Sequence, residues 1–219
     1  KKLIGYSMLG DNSETIFPVA YGDGCNGKST FTGILQDILG DYSITLPSEL
    51  FDSRRDLHPT YIARLYATRF APISELEEDV VLSEATVKKI TSQDKIEARR
   101  MREDPWEFTP THTCWMSTNH KPRVRGVDKG VWRRIKLIPF TVDLTDVRDN
   151  SIPRKLESEK SGILNWMIEG LRAYHDEGIQ NEPAAVLEAT GEYRTGEDSL
   201  SAFWLEAVEE AKGGSVSCS

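Results

Sequence analysis

The sequence is poor in cysteine, histidine and long apolar runs, and each shortage removes a class of protein. Three cysteines (Cys25, Cys114 and Cys218) are too few and too scattered for a disulfide framework or a zinc cluster, which fits a reducing compartment. The four histidines (His58, His112, His120 and His175) lack mutual ligand spacing, so no protein-held metal cluster is expected. No apolar stretch approaches the ~20 residues that span a bilayer. The opening KKLIGYSMLGDNSET turns polar too soon for a signal peptide, so no membrane partner is expected. Repeats and low-complexity tracts are missing too. What remains is a 219-residue chain, 38% hydrophobic and 28% charged, enough for one good-sized domain or a domain with a small annex. It starts at lysine, as expected of a segment of something longer or of a processed chain, and its last residues, GGSVSCS, are expected to fray.

Basic charge is also scarce overall, with a net charge of −8. Its distribution is uneven. Residues 88–136 hold thirteen Lys/Arg and six acids, a net +7, which leaves −15 on the rest of the chain. A basic block of this kind is ordinarily a solvated face. Beside a nucleotide-binding signature it points instead to a polyanion.

That signature is Gly22-Asp23-Gly24-Cys25-Asn26-Gly27-Lys28-Ser29, which satisfies G-x-x-x-x-G-K-[ST] at every fixed position. An apolar stretch, Ile16 to Tyr21, precedes it and reads as a strand, bent or with a free edge at Pro18. An amphipathic helix carrying Phe31, Ile34, Leu35, Ile38 and Leu39 follows and stops at Gly40. Glycines let successive N–H groups turn toward a phosphate, and the helix start adds its positive end. The phosphate cradle is expected to run from Gly22 through Thr30, with Lys28 reaching the β- and γ-phosphates of ATP and Ser29 on Mg²⁺.

Such a loop needs acids at the end of another strand. Thr68 to Ile73 is weakly apolar and runs into Ser74-Glu75, with Glu77, Glu78 and Asp79 close behind. Glu75 is the first choice to bind Mg²⁺ and position water, and Glu78 the second. A third strand, Thr113 to Thr118, ends at Asn119, which is placed to orient water or sense the γ-phosphate, or simply to cap a turn. Arg133 and Arg134 precede an apolar run from Ile135 to Phe140. Adjacent strand residues point to opposite sides, so one arginine is expected to reach a neighbouring copy's phosphates as an arginine finger while the other pairs internally.

The order of these elements resembles the superfamily 3 helicases, in particular the poxvirus-type helicase–primase branch found in phages and plasmids. The matching stretches are GDGCNGKS (22–29), SELEED (74–79), KKITSQDKIEAR (88–99), FTPTHTCWMSTNHKP (108–122) and GVWRRIKLIPF (130–140). Two departures bear on loop geometry: Ser92-Gln93 stands where the family often has a glycine pair, and Asp79 where it often has a glycine. The resemblance implies an α/β fold of AAA+ type with a central parallel sheet over residues 1–145, a helical region over 146–212 and a flexible tail over 213–219. It also implies a ring, usually a hexamer, that binds ATP between subunits and moves on single-stranded or forked DNA. A primase region would lie upstream of this segment, and the setting would be the cytoplasm of a bacterial host of a phage or mobile element.

Residues 94–110 read as a hairpin turning at Arg102-Glu103-Asp104-Pro105. The resemblance places such a hairpin in the central pore. Lys95, Arg99, Arg100 and Arg102 are then the candidate phosphate contacts, with Arg99 and Arg100 divided between the nucleotide face and the pore. Trp106 either stacks a base or packs. After Phe140 the pattern becomes helical: Leu156 to Leu171, stopped at Gly178; Pro183 to Tyr193; and a third helix from Asp198 carrying Leu200, Phe203, Trp204, Leu205 and Val208. Trp166 and Trp204 are expected in the core. The rival readings are a small-molecule P-loop kinase and a nucleotide-gated loading module that binds DNA without unwinding it.

Overall fold

In a computed structural model, residues 1–55, 59–125 and 128–198 are described. Four strands form one parallel sheet: β1 (Phe17–Tyr21), β2 (Phe70–Ile73), β5 (Thr113–Thr118) and β6 (Ile135–Pro139), in the order β2-β5-β1-β6. Their side chains alternate between two cores, as period-two geometry requires. Phe17, Val19, Ala71, Ile73, Cys114, Met116, Ile135 and Leu137 face one side. Phe70 and Trp115 face the other, against Leu35 of α2 (Lys28–Leu39) and Met167 of α7 (Lys160–Glu177).

The expected bend or free edge at Pro18 is met in a different way. β1 is a central strand, paired with β6 from Phe17 and with β5 only from Val19. Phe17 N–H donates toward β6 (Arg134 O, 2.6 Å) and Gly22 N–H toward β5 (Thr118 O). By alternation Pro18 faces β5 with its missing donor, one residue before that ladder begins.

A first helix that the apolar pattern did not announce, α1 (Lys2–Leu9), packs along α7. The contact is close because two glycines meet there. A Cβ on Gly5 would lie 2.1 Å from Leu171 N, and one on Gly170 would lie 2.4 Å from Lys1 O. Tyr6 and Tyr174 stack at 5.1 Å, Tyr174 donates to Glu14 Oε1 at 2.7 Å, and Trp115 Nε1 donates to Ser7 Oγ at 3.0 Å.

Two short helices carry conventional caps. Ser83 accepts from Thr86 N–H at the start of α4 (Glu84–Ile90), whose last turn holds Lys88 and Lys89 where the dipole favours cations. Asp128 accepts from Gly130 N–H at the start of α5 (Lys129–Trp132). A five-residue helix, α3 (Pro59–Ala63), precedes β2. The expected hairpin forms from β3 (Ile96–Ala98) and β4 (Trp106–Phe108), antiparallel, with Ile96 paired to Phe108.

The helical pattern after Phe140 resolves into α6 (Ile152–Ser158), α7 and α8 (Ala184–Glu197). Gly178 ends α7 at φ 66°, as expected. Helix α8 lies along the outer strand β6, and Thr190 Oγ1 accepts from Leu137 N–H, covering a donor that an edge strand would otherwise expose. Trp166 is not a core residue. It is 38% exposed on α7, with the Lys1 ammonium 6.0 Å over its ring, because that face of α7 borders an open cleft. Asp198 closes α8, and the third helix with Leu200, Phe203, Trp204, Leu205 and Val208 lies outside the described residues, as do His58, Cys218 and the tail 213–219. Among the described residues no helix is long and apolar enough to cross a membrane.

Candidate functional site

The carboxyl ends of β1, β2 and β5 open into one cleft of about 1200 Å³. The loop after β1 supplies its first wall, with residues 24–30 among the lining. Two glycines are needed there. Gly22 has φ 158°, and a Cβ on it would lie 2.2 Å from Phe140 O; Gly27 caps α2 at φ 86°. Cys25 also takes the left-handed region, at φ 56°, a conformation uncommon outside glycine. The loop therefore curls its amides around a concavity at the start of α2.

Lys28 is the first residue of α2 and only 5% exposed. Its ammonium donates to Gly22 O (2.5 Å), Asp23 O (2.9 Å) and Asn26 Oδ1 (2.9 Å). Burial pushes its pKa below the ordinary lysine value, and the charges of Glu75 and Asp23 act in the opposite direction. Thus Gly22 and Asp23 serve through their carbonyls, while Gly24, Cys25, Asn26, Gly27, Ser29 and Thr30 face the cavity.

Glu75, just beyond β2, lies in the same cleft and accepts a hydrogen bond from Asn119 Nδ2, just beyond β5. Lys28, Ser29, Glu75 and Asn119 thus converge. Glu78 does not join them: it is exposed and lies outside the lining. The acidic loop and the loop after Asn119 are laced together. Asp79 pairs with Arg123 at 2.7 Å, Leu82 N–H donates to Arg123 O, and Arg123 N–H donates to Val80 O. Helix α8 clamps the second loop through Glu197 on Val124 N–H and through Tyr193 Oη on Pro122 O. Lys121 is held between the rings of Tyr21 (4.9 Å) and Tyr193 (5.7 Å).

Sequence reasoning missed two groups here. Ser117 Oγ is buried at the cleft and without a hydrogen-bond partner; the residue sits in the S-T-N triplet, two places before the asparagine that ends the strand's polar run. Arg148 also lines the cleft, with its Nε 3.1 Å from Asn150 Oδ1. No local pattern marks it, since only the chain's return past β6 brings it there.

Arg133 and Arg134 are at the other end of the sheet. They do not lie on a strand, as expected, but follow α5, with Arg133 as its C-cap. The two arginines nevertheless differ in environment. Arg134 is 8% exposed and donates to Thr91 Oγ1 (2.9 Å) and Gly130 O (2.6 Å), whereas Arg133 is exposed. Burial, then the neighbouring Arg133 charge, lowers the Arg134 pKa. Arg134 O accepts from the first residue of β1, so the pair is separated from the P-loop by the length of that strand, about 16 Å at ~3.3 Å per residue.

The hairpin leaves from the same end. Lys95, Arg99, Arg100 and Arg102 are all exposed, and none of them lines the cleft of its own chain. Arg99 Nε donates to Glu103 O at 3.0 Å, and Arg102 sits in the turn at φ 62°. Trp106 packs against Tyr66 (5.0 Å, edge-on) and Phe108, with the Arg100 guanidinium 5.6 Å over its ring. Also near this end, His112 is buried with Nε2 3.0 Å from Ile90 O, and burial pushes its pKa down to about 4.

Comparison with known proteins adds the following. A family described as "Family of unknown function (DUF5906)" matches residues 20–134. A protein of Acanthamoeba polyphaga mimivirus, provisionally named a helicase, is 28% identical over 97% of this chain and 24% of its own length. A protein of African swine fever virus (strain Badajoz 1971 Vero-adapted), provisionally named a primase, is 22% identical over 90% of this chain and 23% of its own. The chain therefore spans about a quarter of the length of these curated relatives. Among solved structures, the apo C-terminal region of NrS-1 superposes with a TM-score of 0.63 at 13% identity, covering 91% of this chain and 46% of that one. The matches bear out the resemblance carried by the motifs, and the α/β class with its central parallel sheet.

Proposed function

The chain belongs to the family described as "Family of unknown function (DUF5906)", and from that membership and the cleft we propose that it is the ATPase motor of a DNA helicase serving viral or mobile-element replication. The observation that carries this reading is the convergence of Lys28, Ser29, Glu75 and Asn119 in one cleft at the carboxyl ends of the strands, where open α/β sheets bind their ligands. The relatives' helicase and primase names agree with it.

The residues present fit a nucleoside triphosphate with Mg²⁺. The curled loop, the start of α2 and the Lys28 ammonium suit phosphate, and the unpartnered Ser117 hydroxyl offers one more polar contact. Ser29 and Glu75 are hard oxygen donors, and Mg²⁺ is commonly held by one or two such groups plus phosphate oxygens. Among the described residues there is no cluster of three His, Cys, Asp or Glu that would favour a protein-caged metal. Ser29 and Glu75 would hold the cation, which would supply charge neutralisation at the phosphates. Lys28 would leave the loop carbonyls for the phosphates. Glu75 would orient the attacking water, and Asn119 would hold Glu75 and report the γ-phosphate. Arg133 lies about the length of β1 from its own P-loop; as an arginine finger it would act on the site of a neighbouring copy, in a ring whose usual form is a hexamer. The hairpin cations Lys95, Arg99, Arg100 and Arg102 would then line the pore and contact single-stranded DNA, giving a steep loss of affinity with salt.

The test is phosphate release and forked-duplex unwinding by the parent protein and by Lys28→Ala, with particle mass recorded alongside. The expected outcome is ATP hydrolysis stimulated by single-stranded DNA in a multi-subunit particle, lost in the variant. A DNA-indifferent monomer that phosphorylates a small molecule would overturn the reading.

A further inference from the structure

Residues 91–95 join α4 to β3, the first strand of the hairpin, and side chains from distant parts of the chain grip the start of this link. Asn12 Nδ2 donates to Ile90 O and to Ser92 O, at 3.0 Å each. His112 Nε2 lies 3.0 Å from the same Ile90 O. Arg134 Nε donates to Thr91 Oγ1, which in turn donates to Val87 O at 2.6 Å. At the surface beside them, Gln93 Nε2 donates to Ser13 O at 3.1 Å. Asn12, His112 and Arg134 lie before β1, β5 and β6 respectively, so the root of the hairpin is bonded to the approaches of three strands of the parallel sheet.

The last carbonyls of a helix lack partners within it, and water or a glycine turn ordinarily meets them. At the end of α4 the Ile90 carbonyl meets two side chains instead. Asn12 is 3% exposed, and its own loop is fixed without its amide. Arg69 Nη1 donates to Leu9 O at 2.8 Å, Glu14 N–H donates to Tyr6 Oη at 3.1 Å, and Tyr174 Oη donates to Glu14 Oε1. Both amide hydrogens of Asn12 therefore serve the hairpin root. The hairpin cations lie outside the cleft of their own chain, and the bonds of Asn12 are a direct polar link from the hairpin toward the strand that ends at the P-loop.

We propose that Asn12 is a positioning residue that locks the root of the hairpin to the approach of β1, so that a single strand on the hairpin cations and phosphates on residues 22–30 act on one body. The inference rests on the helicase reading above. Asn12→Asp is the diagnostic change, because it keeps the shape of the side chain and turns its donors into acceptors that face two carbonyls. The quantity to read is the rate of ATP hydrolysis with a single-stranded oligothymidylate divided by the rate without it. A loss of folded molecules lowers both rates equally and leaves this ratio untouched, so a merely structural role does not move it. The expected result is a ratio lowered by about fivefold or more, as for the loss of an ordinary coupling between two sites, with the basal rate per folded molecule and the oligothymidylate affinity within about twofold of the parent. Gln93→Ala removes the exposed bond to Ser13 O, leaves the buried ones, and should lower the ratio by a smaller factor without disturbing folding. An unchanged ratio in Asn12→Asp overturns the proposal, and if that variant does not fold, an unchanged ratio in Gln93→Ala does so. A ratio that falls in step with oligothymidylate affinity overturns it as well, since Asn12 would then shape the hairpin rather than link it. If the parent hydrolyses ATP at the same rate with and without the oligothymidylate, the helicase reading itself fails and the link falls with it.

Discussion

At the carboxyl end of the sheet the functional side chains are tied to one another within the chain, whereas at the amino end Arg133 and four hairpin cations project into solvent. Lys28 is nearly buried with three acceptors, and Glu75 is met by Asn119. Lys95, Arg99, Arg100, Arg102 and Arg133 are exposed. The difference is informative because a buried, partnered charge needs its geometry built by the same chain, while an exposed one is available to another molecule. The carboxyl end is a nearly finished site, while the amino-end cations stay solvent-facing, with Arg99 and Arg100 tied at the exposed turn near Glu103. Arg134 marks the boundary: it belongs to the amino end by position and to the buried class by its bonds to Thr91 and Gly130.

The comparison breaks most sharply at Arg133. Arg133→Ala should lower ATP turnover about 10³-fold or more, the contribution of an arginine finger, without altering the melting temperature. Mixing Arg133→Ala with Lys28→Ala subunits should restore part of the activity, because each supplies what the other lacks. If mixtures stay inactive at every ratio, Arg133 does not act on a neighbour.

The next largest effect is in the buried part near the amino end. The His112 imidazole takes its proton near pH 6.5 when unfolded and at about 4 when folded, since burial disfavours the cation. Between those values the unfolded chain binds more protons. Stability is then complete above about pH 6.5 and declines as pH falls toward 4, by ~1.4 kcal/mol per unit and ~3 kcal/mol in all. Denaturant midpoints between pH 7 and 4 should show this slope, and His112→Gln should flatten it. A parent profile with no slope there would remove His112 from the account.

Arg134→Ala should behave unlike its neighbour. It leaves Thr91 Oγ1 and Gly130 O without their donor and should cost ~1–3 kcal/mol of stability. The check is calorimetry of the two arginine variants side by side. Indistinguishable melting curves would erase the distinction between them. Smallest of all, Tyr193→Phe removes the hydroxyl that donates to Pro122 O and should cost ~1 kcal/mol in the same experiment. Because Tyr193 steadies the loop that carries Asn119, turnover should fall more than ATP affinity does. An affinity loss without a turnover loss would show that α8 acts elsewhere.

What was legible in the sequence follows from how local each signal is. The P-loop is contiguous, and its glycines and lysine are set by one turn of backbone, so its position could be read directly. Glu75 and Asn119 were legible as the polar ends of apolar runs, because a parallel sheet aligns such ends. Glu78 could not be separated from Glu75 by pattern alone; in the fold Glu75 lines the cleft and Glu78 does not. Arg133 and Arg134 were read as strand residues because the apolar run after them masks a four-residue helix, although the Asp128 cap is a signal for it. The placement of residues 144–156, with Arg148, against the cleft and the α1–α7 contact are products of chain return, which no window of neighbouring residues reveals. Trp166 is not distinguishable by pattern, because an aromatic at helical spacing looks the same whether it faces a core or a cleft.

The glycine contact between α1 and α7 has a consequence for inheritance of damage. The obstacles to a side chain at Gly5 or Gly170 are main-chain atoms, which have no alternative rotamer to retreat into. A single added methyl must therefore push the helices apart. The movement would tug on Ser7, on the indole of Trp115 that it holds, and so on the strand that ends at Asn119. A lesion far from any phosphate would thus register at the catalytic end as a misplaced amide, and heat-sensitive alleles are expected to gather along this seam.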